Sequence, residues 1–120
     1  MTRRARAGIV LALLTLTLPL VAAAHAHLEQ SEPADGAVVA SVPARFTFRF
    51  SDAVQLTVLS LVSAEQSKAQ KLGPLPAAAV AQLSVPAPPL TPGSYELRYR
   101  AISADGHVMA GSVHFTVAVP

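Results

Sequence analysis

Between Arg45 and Phe50 the chain alternates polar and aromatic positions without a break, so Phe46, Phe48 and Phe50 fall on one side. A period of two marks a half-buried β-strand, because successive side chains of an extended backbone point to opposite faces. The pattern recurs over Tyr95–Arg100, with Tyr95, Leu97 and Tyr99 inward and the charges outward. It recurs again in the last strand, where Val113, Phe115, Val117 and Val119 make an apolar face. Gln55 to Val62 is a further β-rich run, setting Leu56, Val58 and Ser60 against Thr57, Leu59 and Leu61. Gln82–Val85 is a short strand before Pro86. Turn signals lie between these runs at Pro33–Gly36, Gly73–Pro74 and Thr91–Ser94. Short alternating strands divided by such turns predict an all-β antiparallel sandwich or barrel. Ten prolines leave no room for a long helix, although Pro74–Ala81 has space for a helical turn.

The start of the chain follows a different pattern. Arg3, Arg4 and Arg6 precede an apolar run from Ile9 to Val21, and Ala22–Ala24 follow. This is the layout of a secretory signal peptide, with residues 1–24 as leader and 25–120 as one small exported domain. The run is shorter than the ~20 residues a membrane-spanning helix needs. Cleavage after Ala24 makes His25 the first residue; cleavage after Ala26 also satisfies the small-residue rule and makes it His27.

Removing the leader changes the charge. Three of the nine Lys/Arg are in it, which leaves six against seven Asp/Glu and turns a net +2 into −1. No basic patch remains to argue for nucleic acid. There is no cysteine. Packing must therefore hold the exported domain without disulfides, and thiolate metal sites are excluded. Any metal must be held by nitrogen and oxygen.

All four histidines follow the leader: His25, His27, His107 and His114. A histidine at a free N-terminus offers its amine and its imidazole together. Asp105 and His107 flank Gly106, which permits a tight backbone able to aim both at one ion. Imidazole, amine and carboxylate donors suit Cu(II), and zinc can use the same set. Taken alone, Asp105–His107 also reads as a plain polar turn before a strand.

The segment His25–Gly36, Phe50-Ser51-Asp52 after an alternating strand, and Tyr99–Val117 with Ser103-Ala104-Asp105-Gly106-His107 together resemble the CopC family of periplasmic copper-binding proteins. The match covers essentially all of 25–120 and is most specific at the ends. The resemblance implies a Greek-key β-barrel or sandwich, immunoglobulin- or cupredoxin-like, of about seven strands. It implies one Cu(II) per chain, held by the His25 amine and imidazole, the Asp105 carboxylate and the His107 imidazole. It further implies periplasmic copper carriage or buffering in import, homeostasis or resistance, beside an inner-membrane CopD-type partner. Some members carry a methionine-rich Cu(I) loop. Here the mature chain has only Met109, which reads as core packing and points to the Cu(II)-only branch.

His27, third from the predicted start, permits a competing wrap of amine, two deprotonated amides and imidazole around Cu(II). Otherwise it points away from the ligand face or supports it from behind. Asp52 reads as a supporting or alternative ligand, or as an exposed turn acid. His114, between Val113 and Phe115, reads as a solvated strand histidine. No general base, nucleophile or cofactor motif suggests an enzyme. The rival is a copper-dependent oxidative enzyme using an N-terminal histidine brace, which needs an open copper position. A metal-free immunoglobulin-like module would explain the strands but not His25 or Asp105–His107.

Overall fold

The computed structural model describes Gly8, residues 10–17 and residues 26–120. Every regular element among them is a strand: β1 (Leu28–Glu32), β2 (Ala37–Val39), β3 (Arg45–Ser63), β4 (Ala69–Lys71), β5 (Val80–Pro86), β6 (Gly93–Ser103) and β7 (Val108–Val117). No described helix is long and apolar enough to cross a membrane. Gly8 and residues 10–17 carry neither helix nor strand, and Val10, Leu11, Leu13, Leu14 and Leu16 are at least 75% exposed. The predicted leader and its cleavage junction lie largely outside the described residues.

The architecture turns on β3. Its first half pairs antiparallel with β1 and β5, and its second half with β4 and β6. β6 continues the ladder to β7. The two runs read from the sequence as separate strands are thus one strand of 19 residues that passes from one layer to the other. The pass lies at Ser51–Ala53, where the register with β5 shifts between Arg49 and Val54. The result is the predicted β-sandwich, with one departure from all-antiparallel pairing: β2 lies parallel to β7.

The core fills the space between the layers as the alternation requires. Phe46, Phe48 and Phe50 are at most 3% exposed, and they face Leu97, Tyr99, Val113, Phe115 and Val117. Rings meet across the layers: Phe46 and Phe115 at 5.7 Å, and Phe50 edge-on to Tyr99 at 5.6 Å. Aromatic pairs at these separations add about 0.5–1.5 kcal/mol to their area burial. Tyr95 stacks on its cross-strand partner Phe115 and donates its hydroxyl to the Thr91 carbonyl at 2.6 Å, which pins the loop before β6. Tyr99 lies over Gly111, where a Cβ would stand 2.6 Å from the ring's Cζ, so only glycine fits opposite it. Burial pushes the Tyr99 phenol above its ordinary pKa.

Three sequence expectations fail here. The alternation sets Leu56 on the same side as Val58 and opposite Leu59 and Leu61, but Leu56, Leu59 and Leu61 are all buried while Val58 is 40% exposed. The cause is a bulge: Leu56 pairs with Ala101 and Val58 with Arg100, so Thr57 is an extra residue and the inward parity flips. Val119 lies beyond the end of β7, with no strand to seat it, and is 82% exposed. Pro74–Ala81 forms no helical turn; it runs as bends into β5, which starts at Val80. Met109 is half-buried against the core, as read.

Candidate metal centre

β6 and β7 are joined by a hairpin whose last ladder pair is Ile102 with Val108. The connection closes on itself: Ser103 N–H donates to the His107 carbonyl and Gly106 N–H to the Ser103 carbonyl, each at 2.9 Å. Gly106 holds φ +84°, a left-handed conformation that any Cβ would strain. Ser103 is the one buried polar residue among those described. Its hydroxyl hydrogen-bonds Asp105 Oδ1 and reaches the His107 carbonyl at 3.1 Å. His107 N–H donates to the same Oδ1 at 3.2 Å. One carboxylate oxygen is therefore held by the turn, and the other, Oδ2, lies 3.0 Å from His107 Nδ1. Both side chains are open to solvent, at 45% and 69% exposure.

The start of the sheet reaches the same end of the molecule. Ala26 is buried in the core. His27 exchanges bonds with one residue of β3: its N–H donates to Ser51 Oγ at 2.9 Å, and its carbonyl accepts Ser51 N–H at 2.8 Å. Three residues further along β3, Val54 pairs with Ser103, where the Asp105–His107 turn begins. Three residues of extended chain span about 10 Å. The β3 bend thus anchors His27 on one side and the turn on the other. His25, the residue before Ala26, lies outside the described residues. Among the described residues no group of three or more His, Cys, Asp or Glu converges on one point.

The remaining candidates are elsewhere or committed locally. Asp52 sits in the β3 bend, exposed, with Oδ1 accepting the Ala53 N–H at 2.8 Å. His114 is seven residues along β7 from His107, about 23 Å at strand rise. It is exposed as expected, but it is tied in a way the sequence did not reveal. Its backbone N–H donates to Asp35 Oδ1 at 2.8 Å, and its ring lies 3.5 Å from the same oxygen and 3.9 Å from Glu96. That backbone bond holds the Asp35 carboxyl below its ordinary pKa. Asp35 in Pro33–Gly36 read only as a turn residue; nothing local in sequence connects it to a strand nearly eighty positions away.

The CopC domain family matches residues 28–118, the whole of the described sheet. The chain belongs to the CopC family. Among curated relatives it is 36% identical over 123 residues to protein YobA of Escherichia coli K12, covering 98% of this chain and 97% of that protein. It is 33% identical over 102 residues to copper resistance protein C of Pseudomonas syringae pv. tomato, covering 78% and 80%. Of solved structures, CopC from Methylosinus trichosporium OB3b superposes with a TM-score of 0.66 at 28% identity, covering 78% of this chain and 93% of that one. PcoC, described as a methionine-rich copper resistance protein of Escherichia coli, gives a TM-score of 0.54 at 30% identity, covering 79% and 100%. This CopC domain departs from the methionine-rich description: apart from Met1 its only methionine is Met109.

Proposed function

We propose that this CopC domain is an exported, non-enzymatic carrier or buffer for Cu(II), binding one ion through the His25 amine and imidazole, Asp105 and His107. The observation that carries the reading is the Nδ1–Oδ2 separation of 3.0 Å in a turn built to hold it. Two donors bound about 2.0–2.1 Å from one ion at right angles stand about 2.9 Å apart. The separation supports reading Asp105 and His107 as two adjacent corners of a tetragonal N/O site, the geometry Cu(II) prefers. The His25 amine and imidazole supply the other two corners once the leader is removed after Ala24. The competing wrap around His27 would have to take the His27 amide from Ser51 and pull Ala26 out of the core. Once the leader is removed, half-buried Met109 is the one thioether and there is no thiol, so the domain lacks the several soft donors that Cu(I) selects. Family membership and the copper-resistance relative support the copper assignment; a periplasmic location and handover to an inner-membrane CopD-type acceptor complete the reading.

The test begins with the mass and N-terminal sequence of the exported protein. A first residue of His25 is expected; a first residue of His27 removes the His25 ligands and sinks the assignment. Titration should then give one Cu(II) per chain, and no Cu(I) binding that competes with a sulfur-free chelator. An N-terminal extension by one residue should weaken Cu(II), because the amine leaves its imidazole.

A further inference from the structure

The half of β7 that leaves the metal turn is an open edge. Along a strand, residues of one parity direct their N–H and C=O groups to the same side. His114 fixes that side: its N–H goes to Asp35 and its carbonyl accepts Gly36 N–H at 2.6 Å, away from β6. Val108, Ala110 and Ser112 share its parity. β2 covers β7 only at Phe115–Val117, so no described strand pairs with the outward groups of these three residues. The other edges are guarded. β1 carries Glu29 and Glu32 and runs into Pro33, β5 ends on Pro86, β4 is three residues long with Lys71, and β2 is three residues long. Val108–Ser112 has neither charge nor proline. Folded proteins normally guard such edges, because an unpaired strand templates another.

The surface beside this edge carries a sign. Arg100 stands directly across from Ala110, and Arg98 across from Ser112. With Val58, these residues line a shallow groove of about 420 Å³ on the outer face. Glu96 lines the same groove and hydrogen-bonds Ser112, so the open side of the groove is the one beside Ala110 and Arg100. Glu96 engages Arg98 at 3.0 Å, and Arg100 is exposed.

We propose that the β7 edge is a docking site for an extended acidic segment of a partner protein, which adds as a strand alongside Val108–Ser112. The main-chain bonds set its register, and an outward carboxylate meets Arg100 across Ala110, Arg98 being held by Glu96. A second copy of this chain is the poorer occupant, since pairing β7 with β7 would bring two sets of these arginines together. The proposal goes beyond the copper reading and does not depend on it.

The test uses metal-free, isotopically labelled protein and two capped seven-residue peptides, one alternating valine with glutamate and the other valine with lysine. The glutamate peptide should slow amide exchange at Val108, Ala110 and Ser112. The lysine peptide should bind about fivefold more weakly, through loss of the exposed ion pair at Arg100. Arg100→Glu should reverse that order. Ala110→Pro, which removes an outward N–H and no β6 bond, should abolish binding. The proposal is overturned if neither peptide protects these amides, if both bind equally, if protection falls on another edge, or if it arises from self-association without peptide. Should Ala110→Pro fail to fold, the exposed Arg100→Glu decides alone.

Discussion

The two ends of the β6–β7 hairpin are built from the same alternating pattern and reach opposite results. At the Tyr95–Phe115 end the inward residues are roofed by β3, and rings stack in a closed core. At the Ser103–His107 end the roof runs out: Ser103 is the last buried residue, and Asp105 and His107 stand in solvent. The first end is held by area removed from water. The second is held by hydrogen bonds around one carboxylate and one hydroxyl, with little apolar cover. The proposed copper site falls at the second kind of end, where its donors would reach solvent without unpacking the core.

The largest way to break this contrast is at the closed end. Phe46 is fully buried between the layers, and Phe46→Ala should cost about 3–5 kcal/mol, enough to unfold much of a small domain, as read by urea denaturation. At the open end the ranking of affinity and stability should invert. His107→Ala should lower Cu(II) affinity by at least about a hundredfold while leaving the metal-free melting temperature nearly unchanged, whereas His27→Ala should do little to affinity. Loss in His27→Ala with retention in His107→Ala would mean a local chelate at the chain start. Copper should also raise the melting temperature of the wild type, since the ion binds only the native arrangement.

Two glycines sharpen the comparison further. Gly111→Ala drives a methyl into the Tyr99 ring and should cost about 1–3 kcal/mol, as overpacking of a closed core does. Gly106→Ala meets no neighbour within 4 Å and strains only its own backbone, so it should cost about 1–2 kcal/mol and also loosen the metal site. Equal loss of copper affinity in both variants would show that the two ends are not separable.

The smallest effect concerns acid. The Asp35 carboxyl is held below its ordinary value of 3.8, first by the His114 backbone N–H. A carboxyl depressed in the folded state contributes stability that is complete above its ordinary value and is lost as pH falls through the folded one. Wild type should therefore exceed Asp35→Asn in melting temperature near neutrality, and the gap should close as pH falls below that value. A gap that stays constant into acid would remove the ion from the account and leave only a neutral tie.

What could be read from the residues was whatever depends on near neighbours. Strict alternation placed Phe46, Phe48, Phe50, Leu97, Val113 and Phe115 in the core, because the pleat alone decides which side a residue takes. The Gly106 turn and its flanking donors were equally local. The bulge at Thr57 was hidden, since an extra residue is defined only against the partner strand; Leu59 and Leu61 changed sides for a reason that lies in β6. The continuity of β3 across Ser51–Ala53, the parallel β2–β7 pair and the Asp35–His114 tie were hidden likewise. So was the nearness of His27 to the Ser103–His107 turn, part of the question the residues posed about the two ends. It depends on two registers of one strand, Leu28 with Phe50 and Val54 with Ser103. Composition and spacing determined which donors this chain owns and that none is sulfur-rich. Only tertiary pairing decided which of them share an end of the sandwich, because register is fixed by the burial of whole faces and not by any short segment.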